Sequence, residues 1–258
     1  MTDRHADDCV RIEIENAGLD NTGKLPAKSY VRRRTIGSTI RRVLARTRTR
    51  LYSLTPTERT AARFKRTMEK NDLNAFQTMY ANPKYVKLYL DPQRLSFYEH
   101  LADTIAKFVD FSHADLTYLD VGCGTGHLMD AIRRRGMAGT ITGCDYAATA
   151  LTVVKEVCPG AQFEVRDVYT LGITSSYDFI TCCETLEHLK YPEQAISNML
   201  AAIKPGGKLF LTVPDGRKDT WAGHIHFWSP ESFALLLEKF GRSETLYVDD
   251  CNFGVLFK

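Results

Sequence analysis

The sequence predicts an α/β protein built on a mostly parallel sheet, and three observations carry that prediction. Short apolar runs ending in a carboxylate recur at Tyr118–Asp120, Thr140–Asp145 and Gln162–Asp167. Stretches of helical apolar spacing lie between them, and strands alternating with helices in one chain make a parallel sheet covered on both faces. The first run opens into glycines at positions 122, 124 and 126. Such a turn reaches positive φ without strain and lets a ligand lie against the backbone.

The elements follow in order along 258 residues, of which 44% are hydrophobic and 25% charged, enough to bury one α/β catalytic domain with appended helices. Residues 1–56 read as an arm that opens acidic, at Asp7, Asp8, Glu13 and Glu15, and turns basic. Lys24 to Arg50 holds ten Lys and Arg and no acid, an asymmetry that the net charge of +3 hides. Ile36, Ile40, Val43, Leu44 and Leu51 recur near helical spacing, so this segment is either a basic amphipathic helix or a solvated, partly disordered tail. As a helix, residues 32–50 suit an anionic membrane surface, an acidic partner or RNA phosphates.

Residues 57–112 read as a helical cap. Asn82-Pro83 and Asp91-Pro92 break it into two or three helices, one of them over Leu95 to Val109. Tyr80, Tyr85 and Tyr89 are either packing aromatics or walls of a substrate pocket. Residues 113–258 form the sheet domain, with helices expected over Leu128 to Arg135, Ala147 to Val157, Pro192 to Ile203 and Pro230 to Phe240. Tyr177 to Glu184 is a strand of buried type, and the turn Lys204-Pro205-Gly206-Gly207 feeds another that ends at Val213. No helix separates Ser243–Val248 from Phe253–Phe257, so these pair as a hairpin that inserts one antiparallel strand near an edge.

Seven cysteines without C-x-x-C spacing read as the reduced, apolar residues of a cytoplasmic protein. No apolar run reaches the length of a membrane span, and the acidic opening argues against a secretory signal. Peripheral attachment through the basic arm is the one membrane role left open.

The glycine turn admits two ligands. In a dinucleotide-binding turn, helix N–H groups cradle a pyrophosphate, but Asp120 stands two residues before the first glycine and would repel one. A carboxylate there suits a ligand carrying an ammonium or sulfonium charge. Asp120-Val121-Gly122-Cys123-Gly124-Thr125-Gly126 resembles the first motif of the class I S-adenosylmethionine-dependent methyltransferases, and later segments resemble that family's motifs in order over residues 116–213. The resemblance implies a Rossmann-like fold with a seven-stranded, mostly parallel sheet, an antiparallel strand near one edge and helices before the core. It also implies S-adenosylmethionine as cofactor. Asp145, about 20 residues beyond the turn, is placed to bind the ribose hydroxyls; Asp167 and the N–H of Val168 are placed to read the adenine. Cofactor contacts are thus expected at Asp120, Gly122, Cys123, Gly124, Gly126, Asp145, Tyr146, Asp167, Val168 and Glu184.

The chemistry belongs outside the carboxyl ends of the strands, where Glu184-Thr185-Leu186-Glu187-His188 follows the fourth strand. This E-x-x-E-H pattern has two readings. Glu187 or His188 removes or orients an acceptor proton, or Glu184, Glu187 and His188 hold a divalent ion such as Mg2+ with His224 or His226. A merely structural helix-start role is the third option. Small-RNA 2′-O-methyltransferases and some ubiquinone-biosynthesis O-methyltransferases, which this segment resembles, carry reported metal involvement there. The loop from Pro214 to Ser229 is expected over the pocket, with His226 either catalytic or bonded to backbone, and Ser229 and Pro230 starting a helix. The expected activity is methyl transfer to a small molecule, at a hydroxyl oxygen of quinone, phenol or sugar type. RNA 2′-O-methylation and a cofactor-binding, non-catalytic scaffold are the alternatives.

Overall fold

The computed structural model describes residues 55–258, and these belong to one compact unit. The arm, with its expected amphipathic helix and its Arg-rich residues 32–50, lies outside the described residues. Four helices precede the sheet: α1 (Pro56–Met68), α2 (Leu73–Ala81), α3 (Pro83–Tyr89) and α4 (Pro92–Ile105). Each begins at a side-chain oxygen that accepts an otherwise orphaned backbone N–H. Thr55 and Glu58 form a reciprocal capping box at α1, and Asp72, Asn82 and Asp91 cap the other three. The sequence reading anticipated two or three helices. The break it did not anticipate is at Asn71-Asp72, where Asn71 adopts φ 47° and a second N-cap follows at once.

The sheet has seven strands in the order β3-β2-β1-β4-β5-β7-β6. They are β1 (Thr117–Val121), β2 (Thr140–Asp145), β3 (Gln162–Val165), β4 (Tyr177–Cys183), β5 (Ile203–Pro214), β6 (Ser243–Val248) and β7 (Cys251–Phe257). All pairs are parallel except β5 with β7 and β6 with β7, so the hairpin inserts its second strand antiparallel, one place in from the edge. The connecting helices are α5 (His127–Arg134), α6 (Ala150–Val157), α7 (Pro192–Ala202) and α8 (Pro230–Glu238). α6 starts three residues later than its apolar spacing suggests: the carbonyls of Ala147, Ala148 and Thr149 accept from the N–H groups of Ala150, Leu151 and Thr152, three residues on, and not in the α-helical pattern. β3 stops at Val165, where Asp167 turns to cap a 3-10 turn at Val168–Thr170.

Strand residues alternate between two apolar layers, as a pleat requires. Tyr118, Phe179 and Phe210 face the layer formed with α4 and α5, while Leu119, Ile180 and Leu211 face the one formed with α7 and α8. A third cluster, including Phe64, Met68, Met79, Tyr80 and Tyr85, packs the cap against Ala147 and Ala150 beyond β2. The strand order reverses between β1 and β4, which pair at Asp120 and Thr181. Loops diverge at such a point and leave a crevice.

Candidate active site

That crevice, closed above by the cap, is a cavity of about 630 Å3. Its floor is the turn after β1. The N–H groups of Gly122 and Cys123 both donate to the Cys144 carbonyl, which holds the turn against the end of β2. A Cβ on Gly122 (φ +71°) would meet Thr185 Oγ1 at 2.5 Å, and one on Gly124 (φ +49°) would meet the Tyr80 hydroxyl at 2.7 Å. Side chains are excluded at both positions on two grounds, backbone conformation and space.

Two buried carboxylates flank the turn. Asp145 accepts from the Gly124 N–H at 3.0 Å and the Ala147 N–H at 2.8 Å, and burial holds its pKa above the usual carboxylate range despite those bonds. It lines the cavity, and each of its oxygens keeps acceptor capacity beyond those bonds. Asp120 is pushed up to about 7 by burial, although the Thr181 hydroxyl donates to it at 2.6 Å. Tyr118 supports that hydroxyl at 2.8 Å. Asp167 lines the cavity and spends one oxygen on the Tyr169 N–H. Val168 and Cys123 are buried beside it, while Tyr146 is partly exposed with its ring edge-on to Phe76. All ten residues expected at the cofactor are on or beside this cavity except Gly126, whose contact is with Val154 behind the turn.

The other half of the cavity follows β4. Glu184 sits at φ 52°, an unusual conformation for a residue with a side chain, and such conformations concentrate at functional sites. It accepts from Thr212 Oγ1 at 3.2 Å and faces Arg94 Nη1 at 3.8 Å. Sequence reasoning missed Arg94, whose Nη1 is out of solvent with no hydrogen-bond partner and whose guanidinium lies 4.9 Å from the Tyr89 ring centre. A signal was available. Arg94 is the third residue of α4, where a cation opposes the helix dipole, so a compensating role was to be expected.

Glu187 is fully buried, and neither of its carboxylate oxygens has a hydrogen-bond partner. Burial, and then the neighbouring Glu184, raise its pKa well above the ordinary carboxyl value. His188 Nε2 lies 4.0 Å and His224 Nε2 3.9 Å from Glu187 Oε1. Both imidazoles are oriented from behind. His188 Nδ1 faces Asn71 Oδ1 at 2.8 Å and the Gly223 carbonyl at 3.3 Å, and His224 Nδ1 faces Asp219 Oδ2 at 2.5 Å. Burial, and then His224, lower the His188 pKa to about 4, so that ring is neutral at physiological pH. The loop after β5 folds back over the site because the Ile225 and His226 N–H groups both donate to the Glu187 carbonyl.

The structure therefore brings together Glu187, His188 and His224, and leaves two expected residues out. Glu184 is engaged with Thr212 and Arg94 and is not part of the cluster of converging ligand atoms. His226 points away: its ring stacks on Trp228 at 5.0 Å and lines a separate groove. The His226 N–H is anchored on the Glu187 carbonyl, but its ring turns to Trp228 and not to the site. Of the cap tyrosines, Tyr80 and Tyr89 line the cavity, whereas Tyr85 is buried edge-on against Phe64.

A seven-stranded sheet of this order, with a glycine turn, two buried carboxylates and a capped crevice at the switch point, defines a class I methyltransferase architecture. The methyltransferase-domain family model matches residues 93–243, and the chain belongs to that S-adenosylmethionine-dependent methyltransferase family. The ubiquinone biosynthesis O-methyltransferase of Coxiella burnetii is 33% identical over 156 residues, covering 56% of this chain and 62% of the relative. That of Idiomarina loihiensis is 31% identical over 155 residues, covering 55% and 59%. The match thus spans less than two thirds of the length of these relatives. The N-methyltransferase NodS of Bradyrhizobium japonicum, solved with S-adenosyl-L-homocysteine, shares the fold at a TM-score of 0.57 and 18% identity, over 72% of this chain and 97% of that one. Among the described residues no helix is long and apolar enough to cross a membrane.

Proposed function

We propose that this chain transfers the methyl group of S-adenosylmethionine to a hydroxyl oxygen of a small acceptor of phenol or quinol type, with the hydroxyl held at Glu187, His188 and His224. The relatives named for ubiquinone-biosynthesis O-methylation support oxygen as the acceptor atom. The observation that carries the reading is the Glu187 carboxylate, buried with both oxygens unpartnered on the wall of the cavity that the glycine turn also lines.

The cofactor's amino-acid end is zwitterionic, and the pair Arg94 and Glu184 is complementary to it. Arg94 offers an unused N–H to the carboxylate, and Glu184 and Asp120 offer negative charge to the ammonium and sulfonium. Asp145 then takes the ribose hydroxyls and Asp167 the base. In the transfer, the acceptor O–H proton passes to a free Nε2 lone pair of His188 or His224, an O–CH3 bond forms and the CH3–S bond breaks, with sulfur keeping the electron pair. The sulfonium is already a good leaving group, so alignment and exclusion of water are the protein's main contributions. Phe64, Met68, Phe76 and Trp221 supply the apolar wall.

The cluster also fits a divalent cation. Asp219 can only accept and Asn71 presents its carbonyl, so Nδ1 of each ring is the protonated nitrogen and both Nε2 lone pairs face the Glu187 carboxylate. The two Nε2 lone pairs and the Glu187 carboxyl converge, and an ion that displaced the proton burial favours on Glu187 would meet three lone-pair ligands. Two imidazoles and one carboxylate suit Zn2+, Mn2+ or Fe2+ better than Mg2+, which prefers oxygen ligands. Glu187, His188 and His224 would hold the ion, which would keep Glu187 ionised and lower the pKa of a bound hydroxyl.

The test is release of S-adenosylhomocysteine from S-adenosylmethionine in the presence of dihydroxybenzoates, with the products identified by mass and by position of methylation. O-methylated product from the wild type, and loss of turnover with intact cofactor binding in Glu187→Ala, are expected. Methylation at nitrogen or carbon, or wild-type turnover by Glu187→Ala, would overturn the reading. Turnover only on RNA oligonucleotides would favour the 2′-O-methyltransferase alternative.

A further inference from the structure

We infer that Asn71 and Asp219 are positioning residues for the cation ligands, and that Asn71 couples cation occupancy to docking of the helical cap. This rests on the cation reading of the cluster given above. Asn71 occupies the turn between α1 and α2, far in sequence from the E-x-x-E-H segment, and its side chain makes two bonds to one residue there. Its Nδ2 donates to the His188 carbonyl at 3.1 Å, and its Oδ1 faces His188 Nδ1 at 2.8 Å.

The first bond fixes the amide orientation, because the flipped amide would set oxygen against the His188 carbonyl. With the amide fixed, Nδ1 meets two acceptors, Asn71 Oδ1 and the Gly223 carbonyl, and must carry the proton. Nε2 is left as a lone-pair donor aimed at Glu187. Asp219 imposes the same tautomer on His224. Its second oxygen accepts the Trp221 N–H at 2.9 Å, so the group that orients the ligand also shapes the loop carrying a cavity-wall aromatic. Such outer partners fix ring orientation and raise ligand basicity.

The coupling follows from where Asn71 sits. The main chain before it lies against the loop: a Cβ on Gly223 would meet the Met68 carbonyl at 2.5 Å. α1 and α2, on either side of Asn71, carry Phe64, Met68, Phe76 and Tyr80 into the cavity wall. An ion that draws His188 towards Glu187 acts on Asn71 through two hydrogen bonds and favours the docked cap. By linkage, a docked cap favours the ion equally.

The experiment uses the full chain, stripped of metal with a chelator and titrated with Co2+ and Zn2+ by calorimetry and by the visible absorption of bound Co2+. Hydrogen exchange of the amides at residues 69–76 is read with and without Zn2+. Asn71→Ala and Asp219→Ala are expected to weaken cation binding about 10- to 100-fold and to alter the Co2+ spectrum. S-adenosylhomocysteine affinity should change less than threefold. In the wild type, Zn2+ should slow exchange at 69–76, and in Asn71→Ala it should not. Unchanged cation affinity in both variants, or cation binding with no change in exchange at 69–76, would overturn the inference while leaving the cation site standing. A wild type that binds S-adenosylhomocysteine but no cation would remove the site and the inference together. No S-adenosylhomocysteine binding would count against the methyltransferase reading itself.

Discussion

Asp145→Asn separates the cofactor site from the fold more cleanly than any other single change. The carboxylate accepts from two backbone N–H groups, on Gly124 and Ala147, and only 6% of the residue is exposed. An amide has one carbonyl oxygen, so one of the two N–H groups would face an NH2, and a buried donor left unsatisfied costs about 1–3 kcal/mol. Against this, the variant removes a carboxylate whose raised pKa reports a burial penalty. These terms oppose each other, and net destabilisation should stay within about 2 kcal/mol. Cofactor binding has no such offset. Hydrogen bonds to a charged acceptor contribute about 1.5–3 kcal/mol each, and the proposed ribose contact would lose one or two of them, so affinity for S-adenosylhomocysteine should fall roughly 10- to 10⁴-fold. Isothermal titration gives the affinity, and thermal unfolding gives the stability. A variant that binds S-adenosylhomocysteine within threefold of wild type would refute the assignment of Asp145 to the ribose.

Three further outcomes follow from the same geometry. Gly122→Ala places a Cβ 2.5 Å from Thr185 Oγ1 at φ +71° and should cost about 1–3 kcal/mol of stability together with cofactor binding; thermal unfolding of the Gly122→Ala/Thr185→Ala double variant should recover the steric part only. Asp120 titrates near 7, raised above its unfolded value, so it favours the apo fold most at low pH and that contribution is lost as pH rises towards 7. The ionised form attracts the cofactor's positive charge, so affinity should rise between pH 6 and 8 with proton release on binding, measurable by calorimetry in buffers of different ionisation enthalpy; a flat profile would contradict this. Arg94→Ala should weaken S-adenosylhomocysteine binding by about 2–4 kcal/mol, the loss of a charge-assisted pair together with an exposed Glu184 charge, while Arg94→Lys recovers part of it; equal affinities in all three proteins would remove Arg94 from the site.

The half of the candidate site around the glycine turn was legible in the sequence because its signals are local. Asp120 and the glycines are contiguous, and Asp145 and Asp167 each end their own apolar run, so strand period and turn chemistry suffice to place them. The acceptor half was only partly legible. Glu187 and His188 stand together in the sequence, but His224 reaches them only because the loop after β5 hydrogen-bonds back onto the Glu187 carbonyl, a contact without sequence periodicity. The same lack of periodicity misdirected attention to His226, two residues on, whose ring stacks on Trp228 instead. Asn71 was invisible, since its partner lies across the fold. The capping residues at Asn82 and Asp91 announced their helices, whereas Asn71-Asp72 lacks the proline that marked the other two breaks.

The most direct test is calorimetric titration of the full chain with S-adenosylhomocysteine. A single saturable site is expected, whose affinity falls in Asp145→Asn and Arg94→Ala and is retained in Glu187→Ala, because the proposed role of Glu187 is at the acceptor and not at the cofactor. No binding by the wild type, or binding indifferent to Asp145 and Arg94, would contradict it.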